Sequence, residues 1–329
     1  MSLPNQHGAQ GKDDQTHAGE GHRPGLRTRL HAWWYGYDVA GRDKAAAAGA
    51  QAAAAAALTP QPRDPTKPDP DAGRLDRFGK PLWSATRIDV AEKLWGKGFI
   101  GPGAEDYVPD LVKPLGLDKT MSVLDLSAGL GGITRMMARH FGAWVTGLEL
   151  SPALAARGAD YSRKSDVAKH APISHYDPNF LALDRKFDAV FAKEIFFCMD
   201  MEKILTQIRG HLKPHGQLLF TDYLISDDIK VEGLGGWAEA EKLAPCPWGP
   251  GETAACLKSL GFDLRIALDM TDVQRKLIMS KLAEFHSFLS ERDLDHDTKM
   301  AVTEEVALWA RRAEALKHGL KLYRVHCLV

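Results

Sequence analysis

The chain has 329 residues, room for one large domain or two smaller ones at about 100 to 200 residues each, and its 44% hydrophobic and 26% charged residues exclude a wholly disordered, collagen-like or fibrous protein. Lys and Arg number 42 against 43 Asp and Glu, a net charge of -1, which argues against a general polyanion binder because such proteins carry a basic surplus. Cys198, Cys246, Cys256 and Cys327 are widely spaced with no C-x-x-C pair, so neither a disulfide framework nor a metal site is indicated, and a reducing, cytoplasmic setting is expected.

Residues 1–29 carry almost no aliphatic side chains and cannot bury enough apolar surface to offset the entropy of ordering. The aromatic run Trp33, Trp34, Tyr35 leaves two readings open: it folds back onto the domain, or it docks at a partner or a membrane surface. Residues 45–57 contain 11 alanines in 13 positions, a marginal helix on its own, and Pro60, Pro62, Pro65, Pro68, Pro70 and Pro81 follow in an extended spacer. Residues 1–78 are thus expected to be a disordered leader and 79–329 the folded domain. Neither a signal peptide nor a stretch of about 18 apolar residues is present, so no membrane span is expected.

From residue 86 helical and strand periods alternate. Helices are predicted at Arg87–Trp95 and Ala104–Leu115, then a strand at Met121–Leu126, a glycine-rich turn, a helix to His140, and strand Ala143–Leu150. Helix Pro152–Lys164, strands Ile173–Tyr176 and Phe187–Ala192, helix Met201–Leu212 and strand Gln217–Leu224 follow. After Asp227 come a Trp- and Pro-containing stretch to Gly251, a helix to Leu260, strand Phe262–Leu268, helices Asp272–Ser290 and Asp297–His318, and strand Lys321–Val329. The fold class is α/β: a doubly wound, mostly parallel, seven-stranded Rossmann-like sheet with a helical cap inserted after the fifth strand, at about 226–300.

Between the first strand and its helix lies Val123-Leu-Asp-Leu-Ser-Ala-Gly-Leu-Gly-Gly132, where bare backbone can approach a ligand closely and the helix start favours negative groups. Alone this motif is weak, because it also resembles a dinucleotide fingerprint whose first glycine is replaced by Ser127. Glu149 ends the next strand 24 positions after Asp125, where a carboxylate can accept from ribose hydroxyls. Asp125, inside the first strand, would disfavour a pyrophosphate but suit an ammonium group, and Asp177 after the third strand could accept from an adenine amine. Each carboxylate singly reads as a cap or turn residue; three at successive strand ends point to a nucleoside-containing cofactor.

The segments VLDLSAGLGG (123–132), GLELSP (147–152), YDPNF (176–180), FDAVFAKEIFFCMD (187–200) and HLKPHGQLLFTDYL (211–224) resemble those of class I S-adenosylmethionine-dependent methyltransferases. Through LWGKGFIGPG (94–103), TDY (221–223) and the helix around Trp309, the chain is distantly similar to the phosphoethanolamine N-methyltransferase group and its small-molecule relatives. The resemblance implies S-adenosyl-L-methionine as cofactor. It implies that Ser127, Gly129 and Gly131 hold the methionine part with Asp125 behind them, and that Glu149, beside Leu150, binds the ribose. Asp177 and Pro178 would meet the adenine, Ile100 and Gly101 would close over the cofactor, and Lys193 matches a basic residue after the fourth strand.

The acceptor side departs from that group. Trp83 and Cys198 stand where it has a catalytic Tyr and His, and Leu243 and Pro245 fall where it grips phosphate, so phosphoethanolamine is not the expected substrate. Glu194 and Tyr223, at the carboxyl ends of the fourth and fifth strands, are the candidate catalytic groups for taking a proton from an amine or hydroxyl acceptor. Each has a plainer reading, Glu194 as a helix-start carboxylate and Tyr223 as a packed ring. Trp83, Phe99, Phe196 and Phe197 are expected to line the acceptor cleft. The expected function is methyl transfer to a small molecule with no nucleic-acid partner. A non-catalytic binding or assembly module is the alternative, and a nicotinamide-dependent oxidoreductase a weaker one.

Overall fold

A computed structural model describes residues 71, 82–103, 105–178, 181, 183–226, 229–230, 234, 236–241, 247–289 and 294–329. The chain divides into two units, Met1–Ala57 and Leu58–Val329. The described residues belong to the second, so Trp33, Trp34, Tyr35, the alanine tract, most of the proline spacer and the expected boundary near 79 lie outside them, as do Leu243 and Pro245. No helix among the described residues is long and apolar enough to cross a membrane.

The first two-thirds of this unit alternates helix and strand as the sequence pattern predicts. Helix α1 (Ala85–Trp95) starts at Ser84, whose side chain accepts from the Arg87 N–H at 3.2 Å. The predicted helix over 104–115 is shorter: α2 spans Val108–Val112 and a single 3-10 turn, Lys113–Leu115, ends at Gly116. Pro109 starts the helix and Pro114 cannot continue it. Strand β1 (Ser122–Asp125), α3 (Gly132–Phe141), β2 (Trp144–Glu149), α4 (Pro152–Arg163), β3 (Ile173–His175), β4 (Phe187–Lys193) and α5 (Met201–His211) follow. Strand β5 (Leu212–Ile225) begins directly at the end of α5, earlier than predicted, because Leu212 pairs with Phe187.

The sheet order is β3-β2-β1-β4-β5-β7-β6, with β1 to β5 parallel and β7 (Leu320–Leu328) antiparallel to both of its neighbours. Val123, Leu124, Ala189, Val190, Phe191, Leu218, Leu219 and Phe220 are each no more than 0% exposed, as strands covered on both faces require. The direction of winding reverses between β1 and β4, and open α/β sheets bind ligands at the carboxyl ends of such a pair.

The region expected to form one cap is divided by the sheet itself. Short helix α6 (Trp237–Ala240) and α7 (Pro250–Ser259) precede β6 (Asp263–Asp269), the outermost strand. The long helices α8 (Thr271–Leu289) and α9 (His296–Lys317) are inserted between β6 and β7. Helix α9 runs back to α1, where the rings of Trp95 and Trp309 meet edge-on with centroids 4.6 Å apart.

Gly131 shows what the loop between β1 and α3 demands. Its φ is +79°, and a Cβ there would lie 2.1 Å from Ile173 Cδ1, whereas Gly116 has φ +54° with open space around it. Gly131→Ala is therefore expected to cost about 3 kcal/mol, backbone strain plus overpacking, and Gly116→Ala only about 1 kcal/mol from strain. Urea unfolding of the two variants measures the difference, and equal costs would show that the loop yields.

Candidate active site

Three loops end on carboxylates buried at strand tips. Asp125, wholly buried at the end of β1, accepts from the Ser127 N–H at 3.0 Å, the Ser127 hydroxyl at 3.3 Å and the Thr134 hydroxyl at 2.7 Å. Ser127 Oγ in turn accepts from the Lys193 N–H at 2.7 Å, so the residue that replaces a glycine ties the tip of β1 to that of β4. Glu149, at the end of β2, accepts from the Gly129 N–H and the Ser151 N–H, each at 2.8 Å. Burial raises the Asp125 carboxyl to about 6 and that of Glu149 to about 7, against hydrogen bonds that favour the charged forms.

The third carboxylate is Asp222, on β5. It accepts from the backbone N–H groups of Phe196 at 2.5 Å, Phe197 at 3.2 Å and Tyr223 at 2.7 Å, and burial raises it to about 8. It thereby fixes the 3-10 turn Phe196–Cys198 that follows β4. Between them stands Glu194, a non-glycine residue at φ +56° whose own N–H donates to Thr221 O at 2.7 Å. Its Oε1 accepts from Lys193 Nζ at 2.6 Å and Gln274 Nε2 at 3.0 Å, and its Oε2 from the Tyr223 hydroxyl at 3.2 Å.

The opposite wall comes from α1, the loop after it and α9. The loop is held at Gly98, whose N–H donates to Glu92 Oε1 at 2.7 Å and whose carbonyl accepts from the Gly132 N–H at 3.0 Å. Arg87 Nε donates to Glu305 Oε1 at 2.7 Å, and the Trp309 indole N–H to Glu305 Oε2 at 3.2 Å. Arg312 forks onto Glu241, Nε to Oε1 at 2.5 Å and Nη2 to Oε2 at 2.8 Å. The guanidinium of Arg87 lies 4.0 Å over the Trp83 ring and that of Arg312 4.5 Å over Trp309.

These walls enclose a cavity of about 1170 Å³. It exceeds the range of about 300 to 1,000 Å³ usual for one small ligand, so it has room for two. Ile100, Gly101, Ser127, Gly129, Glu149, Leu150, Asp177, Pro178, Lys193 and Glu194 all line it, together with Trp83, Phe99 and Cys198. Expectations change for five residues. Asp125 and Gly131 are not on the wall: Asp125 braces the loop from behind, as the resemblance implies, rather than facing a ligand's ammonium group, and Gly131 packs against Ile173. Tyr223 is fully buried behind Glu194 and does not reach the cavity. Phe196 and Phe197 are core residues, Phe196 against Phe220 and Phe197 against Tyr223 and Trp237.

Sequence reasoning missed Arg87, Glu241, Gln274, Glu305 and Arg312. A signal existed for two of them, since Glu305, Trp309 and Arg312 are spaced four and three apart and share one helix face. Arg87, Glu241 and Gln274 meet their partners only through the tertiary fold.

Residues 123–216 match the family described as a methyltransferase domain. That match runs from β1 into the start of β5 and takes in under a third of the chain. It is 29% identical over 164 residues to a glycine/sarcosine/dimethylglycine N-methyltransferase of Actinopolyspora halophila, covering 49% of this chain and 29% of that protein. It is 32% identical over 152 residues to phosphoethanolamine N-methyltransferase 2 of Caenorhabditis elegans, covering 45% of this chain and 34% of that one. The chain thus spans about a third of the length of these curated relatives. In fold it is similar to Haemonchus contortus phosphoethanolamine N-methyltransferase 2, solved with phosphomonomethylethanolamine and S-adenosylhomocysteine, with a TM-score of 0.64, 21% identity and coverage of 74% of this chain and 57% of that one.

The domain's buried carboxyls set a pH dependence. Asp125 holds a proton up to about 6 when folded but only to about 3.8 when unfolded, so the folded state binds the extra proton between these values and stability falls as pH rises through them. Asn at this position can keep the contacts to Ser127 and Thr134 without the buried charge. Asp125→Asn is expected to gain stability relative to the parent between about pH 4 and pH 6, levelling above that at roughly 1 to 3 kcal/mol. Urea midpoints measured across this range check it, and a pH-independent difference would show that Asp125 is charged throughout.

Proposed function

We propose that the chain transfers a methyl group from S-adenosyl-L-methionine to a small-molecule acceptor, at an amine or a hydroxyl. The reading rests above all on Glu149: its carboxylate grips the bare backbone of Gly129 at 2.8 Å on the wall of a cavity with room for a donor and an acceptor. Gly129 has φ +54°, a backbone that residues with a Cβ rarely take, and the Ile100 side chain lies close over it, 3.4 Å from where a Cβ would stand.

In this reading Glu149 and Leu150 hold the ribose, Asp177 and Pro178 face the adenine, and Ser127 and Gly129 meet the methionine part. Ile100 and Gly101 cover it, and Lys193 supplies positive charge beside Glu194. When bound, the cofactor would supply a methyl group on a sulfonium, whose carbon an acceptor attacks in line as the S–C bond breaks and the neutral thioether leaves. The chain has to align the acceptor, exclude water and accept a proton, and alignment alone lowers such barriers by several kcal/mol. Glu194, a residue of the cavity lining just past β4, is the proton acceptor in this reading. Tyr223, behind it, positions that carboxylate.

The relatives named above act on amines, which supports an amine acceptor here. The walls do not favour a bare cation on an aromatic face, since Trp83 and Trp309 already carry the chain's own guanidinium groups. A second reading, a binding or assembly module that keeps the cavity without the chemistry, draws on Trp83 and Cys198 standing in place of the family's Tyr and His.

Calorimetry on ligand-stripped protein is expected to register heat with S-adenosylhomocysteine and none with a nicotinamide dinucleotide. Glu149→Ala should weaken the former about tenfold or more, the loss of roughly 1.4 kcal/mol of binding. No heat with S-adenosylhomocysteine would end this reading. Incorporation of labelled methyl into the small-molecule fraction of a cell extract separates the enzyme from the binding module, which transfers none.

A further inference from the structure

Gln274 is a costly residue with no structural return. It sits in the first turn of α8 and is 1% exposed. Its Nε2 donates to Glu194 Oε1 at 3.0 Å, 80 residues away in sequence, and to the Tyr223 hydroxyl at 3.4 Å. Its Oε1 is buried and has no hydrogen-bond partner among the described residues. An amide with one satisfied end and one orphaned end loses to a methionine or leucine of similar volume on stability alone. What the amide does provide is a donor fixed on one carboxylate oxygen.

The surroundings of that carboxylate point the same way. Glu194 adopts a left-handed backbone that a residue with a Cβ rarely takes, and strain of this kind persists where the neighbourhood over-determines it. Three donors from three segments converge on its two oxygens: Lys193 Nζ beside it, the Tyr223 hydroxyl from β5 and Gln274 Nε2 from α8. Tyr223 is wholly buried, packed against Phe197 and Trp237, so it cannot swing away. With these donors in place the Glu194 carboxylate is held in one orientation, on a residue that lines the cavity.

We propose that Gln274 is a positioning residue for methyl transfer: from the helix inserted between β6 and β7 it fixes the Glu194 carboxylate in the orientation that receives the acceptor's proton. The inference rests on the methyltransferase reading and deepens it. It also gives the inserted helix a part in the chemistry, since α8 reaches Glu194 through this one amide while its neighbour α9 forms the wall.

The test uses the full chain, labelled S-adenosylmethionine and the small-molecule fraction of a cell extract, with the cofactor concentration varied. Gln274→Met, with Gln274→Leu as a second apolar replacement, is expected to lower the apparent kcat about tenfold or more, the usual weight of a hydrogen bond to a charged group. KM for the cofactor and the calorimetric affinity for S-adenosylhomocysteine should stay within about twofold, and the thermal midpoint should hold or rise. Glu194→Gln should slow transfer as well, and adding Gln274→Met to it should cost nothing more, because Gln274 acts through Glu194. Parent-like rates in both apolar variants, or losses that multiply in the double variant, overturn the proposal. So does a rate loss matched by falls in midpoint and affinity, which marks a packing defect. A parent protein that neither binds S-adenosylhomocysteine nor transfers methyl overturns the functional reading and this inference together, whereas normal transfer with an indifferent Gln274 overturns this inference alone.

Discussion

Backbone amides held by buried carboxylates organise this site. Asp125, Glu149 and Asp222 each sit at or near the carboxyl end of a strand and accept from N–H groups of a cavity-forming loop: Ser127, then Gly129 with Ser151, then Phe196 with Phe197. Loops at the end of a parallel sheet have backbone donors that the ladder no longer satisfies, and leaving them buried without partners is expensive. A carboxylate placed there satisfies up to three at once. The same placement desolvates the carboxylate, which is why all three are raised well above the ordinary range. The loops are thus kept rigid at the expense of some stability at neutral pH, a trade that suits a surface on which a ligand has to be aligned.

The opposite wall is built on another principle. It comes from segments far apart in sequence, α1 and its following loop at one end and α9 at the other, and is joined by contacts between them: Arg87 to Glu305, Trp95 to Trp309, and Arg312 on α9 to Glu241. Removing one partner of such a buried pair leaves an uncompensated charge, so these pairs specify where α9 lies more than they add to stability. Their placement depends on the antiparallel β6–β7 hairpin, which returns the chain to the sheet only after α8 and α9 have passed over the site. Fold and cavity are coupled at this point: the long insertion between the last two strands supplies both Gln274 and the Glu305–Trp309–Arg312 face.

The parallel half of the sheet was legible in the sequence because its central strands carry apolar runs and are bounded by caps such as Ser151-Pro152 and Asp200, signals that act locally. Glu149, Lys193 and Glu194 were legible for the same reason, each being the last residue of a strand or the next one on. Their partners were not. Whether a carboxylate at a strand tip faces a ligand or braces the loop behind it depends on the side-chain direction of one residue, and the pattern around Asp125 is the same in both cases. Tyr223 reads as a strand-end hydroxyl open to the site, yet β7, lying antiparallel beside β5, and the helices that precede it bury the ring completely. Phe196 and Phe197 looked available for an acceptor because nothing in their own segment shows that Asp222 pins the turn inward.

The charge pattern of the cavity bears on what the chain has to do chemically. Lys193 with Glu194, Arg87 with Glu305 and Arg312 with Glu241 are three ion pairs, each neutral as a unit. In the proposed reaction the positive charge of the methyl donor passes to the acceptor, so the total within the cavity is conserved and none of these pairs has to rearrange during transfer. Fixed dipoles of this kind cost no reorganisation, which is where preorganised sites gain over water. Only the later passage of a proton from the methylated acceptor to Glu194 alters one of these pairs, leaving the total unchanged, and that step needs a carboxylate that is already aimed. Glu194 takes hydrogen bonds from two neutral donors on segments other than its own, Tyr223 and Gln274, in addition to its cation. Both donors fall on the acid that the proposed reaction requires to change its state.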